Sequence, residues 1–337
     1  MSSLPNNKPA DQQLLILETY PLGESAYDGL TGLFNEVKHL GKVIPETAGF
    51  TGAKVLVCGI APLYKDRISP RNINVIFTTF ESDQLPDEWV TSINQYRHCI
   101  VSHPAVKDVF TNSGVRIPIT VIHNGYRRYK RRSITQNQPG NFIIGFLGVP
   151  VNRKNLYKLY EACKQLKQTT IPELRLHIHV ASFYDWLDSG PFEEMKADDM
   201  IRWTTGKYTP EQISDWYYQL SCYIFPSSGE GWSYTPRESM YLGIPTVISD
   251  IPAHKELAWS GFYKVIDVCR KEPADFDGAV HGNWDCIETA AIKNAITDMY
   301  LRYGYFSELA KKGAEWIQDK WENEEIGEHI LTLMNSL

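Results

Sequence analysis

The sequence has no apolar run approaching the roughly 18 to 20 residues needed to cross a bilayer, which excludes an ordinary membrane-spanning helix. Met1 to Gln12 is polar and contains proline, without the charged-then-apolar order of a secretory leader, so the cytosol is the expected compartment. Cysteine is sparse. The six residues Cys58, Cys99, Cys163, Cys222, Cys269 and Cys286 are scattered, form no Cys-x-x-Cys pair and mostly sit in apolar runs. Buried free thiols fit that pattern better than disulfides or a zinc site. Also missing are a Gly-x4-Gly-Lys-Ser/Thr phosphate loop, a Gly-x-Ser-x-Gly nucleophile elbow, a solenoid repeat and any low-complexity tract.

What is present suits a globular protein of two domains: 337 residues, 43% apolar and 22% charged. The net charge of −6 gives no general affinity for polyanions. Locally, Arg127, Arg128, Lys130, Arg131 and Arg132 form a basic cluster, which reads either as a solvated linker or as a seat for a phosphate backbone.

Short β-branched runs predict strands at Leu14–Leu17, Lys54–Cys58, Asn74–Thr79, Cys99–Ser102 and Ile119–Ile122. The three- and four-residue spacing of Leu30, Leu33, Phe34 and Val37 predicts a helix after the first strand. After the polar segment Arg127–Gly140 the pattern restarts. Strands are predicted at Phe142–Leu147, Leu174–Val180, Ile201–Thr204, Cys222–Phe225 and Thr246–Ile248, and helices at Leu156–Leu166, Pro210–Leu220 and Pro236–Leu242. From Ile287 the chain reads as helix almost to its end. Continuous apolar strands alternating with helices predict parallel sheets covered on both faces, and hence two doubly wound α/β domains. Ligands of such sheets bind beyond the carboxyl ends of the strands, so a cleft between the domains is the expected site.

Two loops carry unusual chemistry. After Phe225 comes Pro-Ser-Ser-Gly-Glu-Gly-Trp-Ser-Tyr-Thr-Pro-Arg-Glu. Glu230 lies between glycines, where backbone can approach a ligand, and Glu238 follows near the start of a helix. Such carboxylates can accept hydrogen bonds from sugar hydroxyls while nearby N–H groups face a phosphate. Thr235-Pro236-Arg237-Glu238 also fits a capping box, so a structural role for Glu238 stays open. After Leu147, Asn152 is a candidate N-cap, which puts Arg153 and Lys154 in a first helical turn, where the helix dipole disfavours cations. An anionic ligand would resolve that conflict; so would simple solvation. Asp275-Phe-Asp277 reads as a solvated loop and not as a metal-binding Asp-x-Asp, and His177 and His179 as partly buried, hydrogen-bonded histidines.

The stretch from Ser227 through Glu238-Ser-Met-Tyr-Leu-Gly-Ile-Pro-Thr-Val resembles the Glu-x7-Glu motif of retaining GT-B glycosyltransferases, family 4 in particular. The resemblance implies that Glu230 contacts a donor sugar and Glu238 the nucleotide ribose. It also implies that Gly231, Trp232, Ser233 and Tyr234 line the sugar and diphosphate. Arg153 and Lys154 match the family's diphosphate-holding basic pair, although the family usually separates the two by several residues. Phe80-Glu-Ser-Asp-Gln-Leu-Pro-Asp-Glu-Trp resembles a segment of one bacterial branch, and Cys99-Ile-Val-Ser-His and Val121-Ile-His-Asn-Gly resemble the strands before the linker. Of the family's glycine pair in the first loop only Gly23 matches, followed by Glu24 as a candidate acceptor contact. Where many members carry a catalytic-site histidine stand Glu81 and Ser82. With Asp83 these are candidates for acceptor contact or proton uptake, or simply a polar loop.

The implied fold is α/β, GT-B, with two Rossmann-like domains facing a central cleft. An acceptor-side domain at 1–126, a basic linker at 127–140 and a nucleotide-sugar domain at 141–313 are expected, with closing helices at 314–337 returning to the first domain. The implied activity is a hexosyl- or pentosyltransferase moving a sugar from a nucleoside-diphosphate sugar to a hydroxyl, without cofactor or metal. The acceptor would be a glycan or polysaccharide precursor, or else a hydroxylated base in DNA held by Arg127–Arg132, as in phage-type enzymes. A non-catalytic sugar-nucleotide-binding module is the alternative of another class.

Overall fold

Each β-branched run becomes a parallel strand, and the strands build two six-stranded sheets. The computed structural model describes residues 14–18, 33–35, 37–47, 49–132, 140–180, 190–276, 278–321 and 323–337. They fall into two units: Met1–Phe80, Gln84–Asn124 and Asn323–Leu337 in the first, Glu81–Asp83 and Gly125–Glu322 in the second. Gly23 and Glu24 lie outside the described residues.

The first unit contains β1 (Leu15–Leu17), β2 (Lys42–Ile44), β3 (Lys54–Cys58), β4 (Ile73–Phe77), β5 (His98–Val101) and β6 (Ile119–Val121), in the order β2-β1-β3-β4-β5-β6. Every neighbouring pair is parallel. Helix α1 (Asp87–Ile93) follows β4 and α2 (Pro104–Asn112) follows β5. Pro104 stands at the start of α2, where no N–H is missed, and the His103 side chain caps it by accepting from the Ala105 N–H at 3.0 Å. Leu33, Phe34 and Val37 share a core with Leu56, Val75 and Ile100. Ile326, Ile330 and Met334 of the C-terminal helix, Asn323–Ser336, join the same core at a four-residue spacing.

The second unit contains β7 (Phe142–Leu147), β8 (Leu174–Val180), β9 (Ile201–Thr205), β10 (Cys222–Phe225), β11 (Thr246–Ser249) and β12 (Lys264–Ile266), ordered β12-β11-β10-β7-β8-β9 and parallel throughout. Its helices are α3 (Leu156–Thr169), α4 (Gly190–Ala197), α5 (Pro210–Tyr217), α6 (Tyr234–Tyr241), α7 (Lys255–Trp259), α8 (Thr289–Leu301) and α9 (Tyr303–Gln318). Alternate residues of β7 serve opposite faces. Ile144 and Phe146 pack with Leu159, Cys163 and Ile292, while Leu147 packs with Ile213 and Tyr217. Fully burying each such side chain contributes roughly 1.5–3 kcal/mol.

In chain order the second sheet reads 6-5-4-1-2-3, so the chain reverses direction between β7 and β10. The loops after these two neighbours diverge and leave a crevice at their carboxyl ends. They are the two loops with unusual chemistry.

The fold departs from the sequence expectation at its sheet edges and in one hairpin. The edge strands β2 and β12 were not anticipated: each has three residues and only Ile44 or Ile266 buried, too little for a pattern. Lys271–Phe276 is a strand, β13, paired antiparallel with β14 (Ala279–Asp285), not a solvated loop. The ladder shifts register between Pro273 and Asp275, where a bulge accommodates proline. Asp275 accepts the Gly278 N–H at 2.6 Å and so belongs to the turn, while Asp277 lies outside the described residues.

Truncating the C-terminal helix's buried anchor tests its share in the first unit. Ile330→Ala is expected to lower stability by about 2–5 kcal/mol, read as a lower urea midpoint with an unchanged m-value.

Candidate active site

The loop after β7 begins at Gly148, whose φ of +150° and whose neighbour explain the residue: an added Cβ would stand 3.2 Å from Lys154 Nζ. Asn152–Lys154 forms a single 3-10 turn, and Asn155, in the left-handed region at φ 51°, separates it from α3. The expectation of Asn152 as N-cap, with Arg153 and Lys154 in the α-helix, is therefore corrected. Both cations ride on a turn ahead of the helix. Asn tolerates the left-handed conformation better than most residues, and here it is also a clamp. Its buried Nδ2 donates to Pro226 O at 2.9 Å and Ser228 Oγ at 2.8 Å, tying this loop to the one after β10.

Arg153 completes the junction. Its Nη1 donates to Gly229 O at 2.8 Å and to the Glu230 carboxylate, while Nη2 lies 3.6 Å from Glu81 Oε1. The Ser228 N–H returns a bond to Arg153 O at 2.7 Å. Glu230, with its side chain only 9% exposed, also accepts from Ser227 Oγ at 2.8 Å. Burial pushes its carboxyl up. Arg153 foremost, then Lys154, the Ser227 hydroxyl and His254, outweigh that and hold it below the ordinary range, so Glu230 is an anion near neutrality. Lys154 Nζ sits 5.6 Å from the Phe225 ring centroid, at the mouth of the same loop.

Gly229 must be glycine. A Cβ there would meet Glu81 O at 2.3 Å and Trp284 Cδ1 at 2.8 Å. Trp284, on β14, donates its Nε1–H to Glu81 O at 2.7 Å, and the Asp285 N–H donates to Ser228 O at 3.1 Å. The Asp83 N–H donates to Asn283 O at 3.2 Å, and the Asn283 N–H donates to Asp83 Oδ1 at 2.6 Å. The hairpin thus buttresses the glutamate loop and seats Glu81–Asp83, which belong to this unit. Glu81 meets Arg153; Ser82 is half-buried and Asp83 exposed. Asp83 instead lies 3.9 Å from Lys271.

The segment entering α6 is held from beneath. Ser233 has φ 66° and donates to His254 Nε2 at 2.8 Å; the direction follows because His254 Nδ1–H donates to the Ser249 carbonyl at 2.9 Å. Burial holds the His254 imidazole neutral, down at about 4. Arg237 is fully buried, bonded to the carbonyls of Trp232 and Ser233 and to Glu256, with its guanidinium 3.6 Å from the Trp232 ring centroid. The indole of Trp232 points inward and donates to Gly125 O at 2.9 Å. The indole is thus engaged inside the unit, where it anchors the loop that was expected to line a donor. Gly231 is buried beside it, and Tyr234 is half-buried. Neither His254 nor Asn155 was anticipated, and Arg237 figured only inside a supposed capping box.

That capping box does not form. Helix α6 starts at Tyr234, and the Thr235 hydroxyl accepts from Tyr223 at 2.7 Å. Glu238 therefore sits mid-helix and 4% exposed, its Oε2 3.4 Å from Tyr217 Oη. Desolvation pushes its carboxyl up to about 7 against the pull of Arg127 and Tyr217.

The basic cluster folds onto its own unit. Arg132 pairs with Asp215 at 2.5 Å, Arg131 Nη1 donates to Gln318 Oε1 at 3.0 Å, and Arg128 lies over Tyr126 at 5.5 Å. Exposed Lys130 contributes its carbonyl to Ser214 Oγ at 3.4 Å, and Arg127 stands beside Glu238. His179 bonds Thr204 Oγ1 at 3.0 Å and stacks on Tyr208, and half-buried His177 stands two residues before it on β8. Burial pulls both imidazoles down to about 4.

Residues 128–268 match the family described as glycosyl transferases group 1. The lipopolysaccharide core biosynthesis mannosyltransferase LpsB of Rhizobium meliloti (strain 1021) is 39% identical over 56 residues, 17% of this chain and 15% of that protein. HepE of Anabaena, solved with UDP-glucose, superposes with a TM-score of 0.68 at 12% identity, covering 96% of this chain and 99% of its own. A TarM mutant of S. aureus, solved with fondaparinux, alpha-GlcNAc-glycerol and UDP, gives 0.61 at 16% identity, covering 83% and 55%. The chain thus spans about half of TarM and a small part of LpsB. The structural likeness shows the fold, the two Rossmann-like α/β domains of GT-B glycosyltransferases, and a glycosyl transferases group 1 segment lies in the second unit.

Two outcomes check this geometry. Arg237→Ala removes the ion pair with Glu256 and leaves a hole beneath Trp232, and is expected to destabilise by about 3–5 kcal/mol in urea titrations. For Glu238, a folded value of about 7 against 4.5 means that the native state binds the extra proton between those pH values. Its contribution is full below pH 4.5 and is lost as pH rises through 7. His254, held neutral, has the opposite slope at acid pH, so the test is a difference: wild type minus Glu238→Gln should fall between pH 4.5 and 7 and be flat above.

Proposed function

From GT-B domains carrying a glycosyl transferases group 1 segment, we propose that the chain is a retaining glycosyltransferase of family 4, transferring a hexose from a UDP-sugar to a hydroxyl of a glycan or polysaccharide precursor. One observation carries this: at the switch point of the second sheet, the basic pair after β7 and the glutamate loop after β10 are joined through Arg153, Gly229 and Glu230.

The chemistry needs positive charge where a diphosphate leaves and acceptors where the sugar sits. Lys154 meets the first need, since its ammonium stands at the loop mouth beside Gly148. Arg153 is committed to Glu230, Gly229 O and Glu81, so it orients the carboxylate and reinforces the field. Ionised Glu230 accepts from sugar hydroxyls and stabilises positive character developing on the ring. Tied to Arg153 and Ser227, it is a weak nucleophile, and no covalent glycosyl-enzyme on it is part of the reading. Glu238 with Arg127 would receive the nucleoside, and Glu81 would face the acceptor. The names of LpsB, a lipopolysaccharide core enzyme, and of HepE and TarM, solved with UDP or UDP-glucose, support a glycan acceptor and a UDP donor. Arg128, Arg131 and Arg132 engage tyrosines, a glutamine and an aspartate of their own unit, which favours a glycan over DNA.

Transfer from a panel of UDP-, GDP- and ADP-sugars tests the proposal. Lys154→Ala and Glu230→Gln are each expected to lower kcat by roughly 10²–10³-fold, with the product's anomeric configuration, read by NMR, matching the donor's. Added Mg2+ or Mn2+ should leave turnover unchanged, because the leaving charge is met by side chains. Donor binding without turnover would make the protein a sugar-nucleotide-binding module, and unchanged kcat in both variants would move the site elsewhere.

A further inference from the structure

Cys269 and Cys286 come together at the root of the β13–β14 hairpin in the second unit. Cys269 lies just before β13 and Cys286 just after β14; the Cys269 N–H donates to Cys286 O at 3.2 Å and the Cys286 N–H to Arg270 O at 2.7 Å. Their sulfurs and the Glu288 carboxylate lie within 4.8 Å of one another, a grouping of three such ligand atoms among the described residues. Cys269 Sγ is 3.7 Å and Cys286 Sγ 3.6 Å from the same oxygen, Glu288 Oε1. In a tetrahedral zinc site, metal–sulfur bonds of about 2.3 Å and metal–oxygen bonds of about 2.1 Å set sulfur and oxygen about 3.6 Å apart. Both sulfurs already stand at that spacing from the carboxylate oxygen.

We propose that Cys269, Cys286 and Glu288 form a structural site for a zinc-like divalent cation at the root of the hairpin. Thiolates select a soft, borderline metal over Mg2+ or Ca2+. Water would complete the tetrahedron as the fourth ligand. On binding, each thiol releases its proton to solvent and the metal takes two thiolates and the Glu288 carboxylate. Arg270 now serves as counter-ion: its Nη1 bonds Glu288 and lies 3.5 Å from Cys269 Sγ. Its side chain is 62% exposed, so it can swing into water as the metal takes its place. The site borders the donor loop without belonging to it, since Asp285 and Trp284, adjoining Cys286, brace Ser228 and Gly229. A filled site would fix the hairpin against that loop. This inference goes beyond the transferase reading and stands whether or not sugar is transferred.

The test uses the full chain, reduced and stripped of metal, titrated with Zn2+ and with Cd2+, whose bond to thiolate gives an ultraviolet charge-transfer band. One ion per chain is expected. Cys269→Ser and Cys286→Ser should each weaken binding at least about tenfold and remove the band, Glu288→Gln should weaken it, and Arg270→Gln should tighten it, second-sphere changes of this kind being worth about 10–100-fold. Should the serine variants fold poorly, the unaltered protein supplies the answer: Cys269 should alkylate readily without metal and be protected by stoichiometric Zn2+. Cys58, Cys99, Cys163 and Cys222 are buried and give a constant background. Absence of the band, affinity indifferent to both cysteines, or a disulfide joining them in the freshly isolated protein would overturn the proposal. Sugar transfer intact in a protein that binds no Zn2+ would sink this inference alone; loss of transfer in Lys154→Ala and Glu230→Gln with metal binding retained concerns only the other site.

Discussion

The guanidinium of Arg153 sits where two loops from neighbouring strands would otherwise part, and it answers three acceptors at once: the Gly229 carbonyl, Glu230 and Glu81. Parallel strands reversing direction between β7 and β10 create the crevice, but a crevice has no chemistry. A planar cation with a fixed fork of donors can close it, bring a buried carboxylate to ionisation, and hold a glycine loop against a tryptophan. Remove that charge and Glu230 loses the largest of the influences that offset its burial, keeping Lys154 and the Ser227 hydroxyl, which would shift it toward the neutral acid.

Around this junction the support is layered. Asn155 clamps the loop after β10 from one side, the β13–β14 hairpin presses from another through Trp284, and Arg237 with His254 fixes Trp232 and Ser233 from below. Each converts a glycine-bearing segment into a surface of defined shape, as the proposed transfer would require of a site that holds its ligand in fixed relation.

Much of the architecture was legible because burial on both faces writes itself as unbroken β-branched runs. Lys54–Cys58, Phe142–Leu147, Leu174–Val180 and Cys222–Phe225 begin and end where the residues say they should. What could not be read had no such signature. The β13–β14 hairpin buries Ala274, Trp284 and Asp285 and little else, and its proline hides in a bulge. Arg153, Lys154, Glu230 and Glu81 were visible as chemistry, and the fold brings them together. The direction of Trp232 was not visible, since an aromatic beside glycines suits a ligand platform and a buried ring equally. Nor was the break at Asn155, because a left-handed residue leaves no periodic trace. The six thiols are free as expected, and the nearness of Cys269 and Cys286 left no trace in the sequence because they are far apart and only an unforeseen hairpin makes them neighbours.

The left-handed turn at Asn155 has one more effect. Since the two cations ride on their own 3-10 turn, bolted to the opposite loop, their position does not depend on what the outer face of α3 carries. Exposed positions such as Gln168 and Thr169 are therefore open ground for drift, recoloured charge or an engineered tether, while the turn that carries Arg153 and Lys154 keeps its aim.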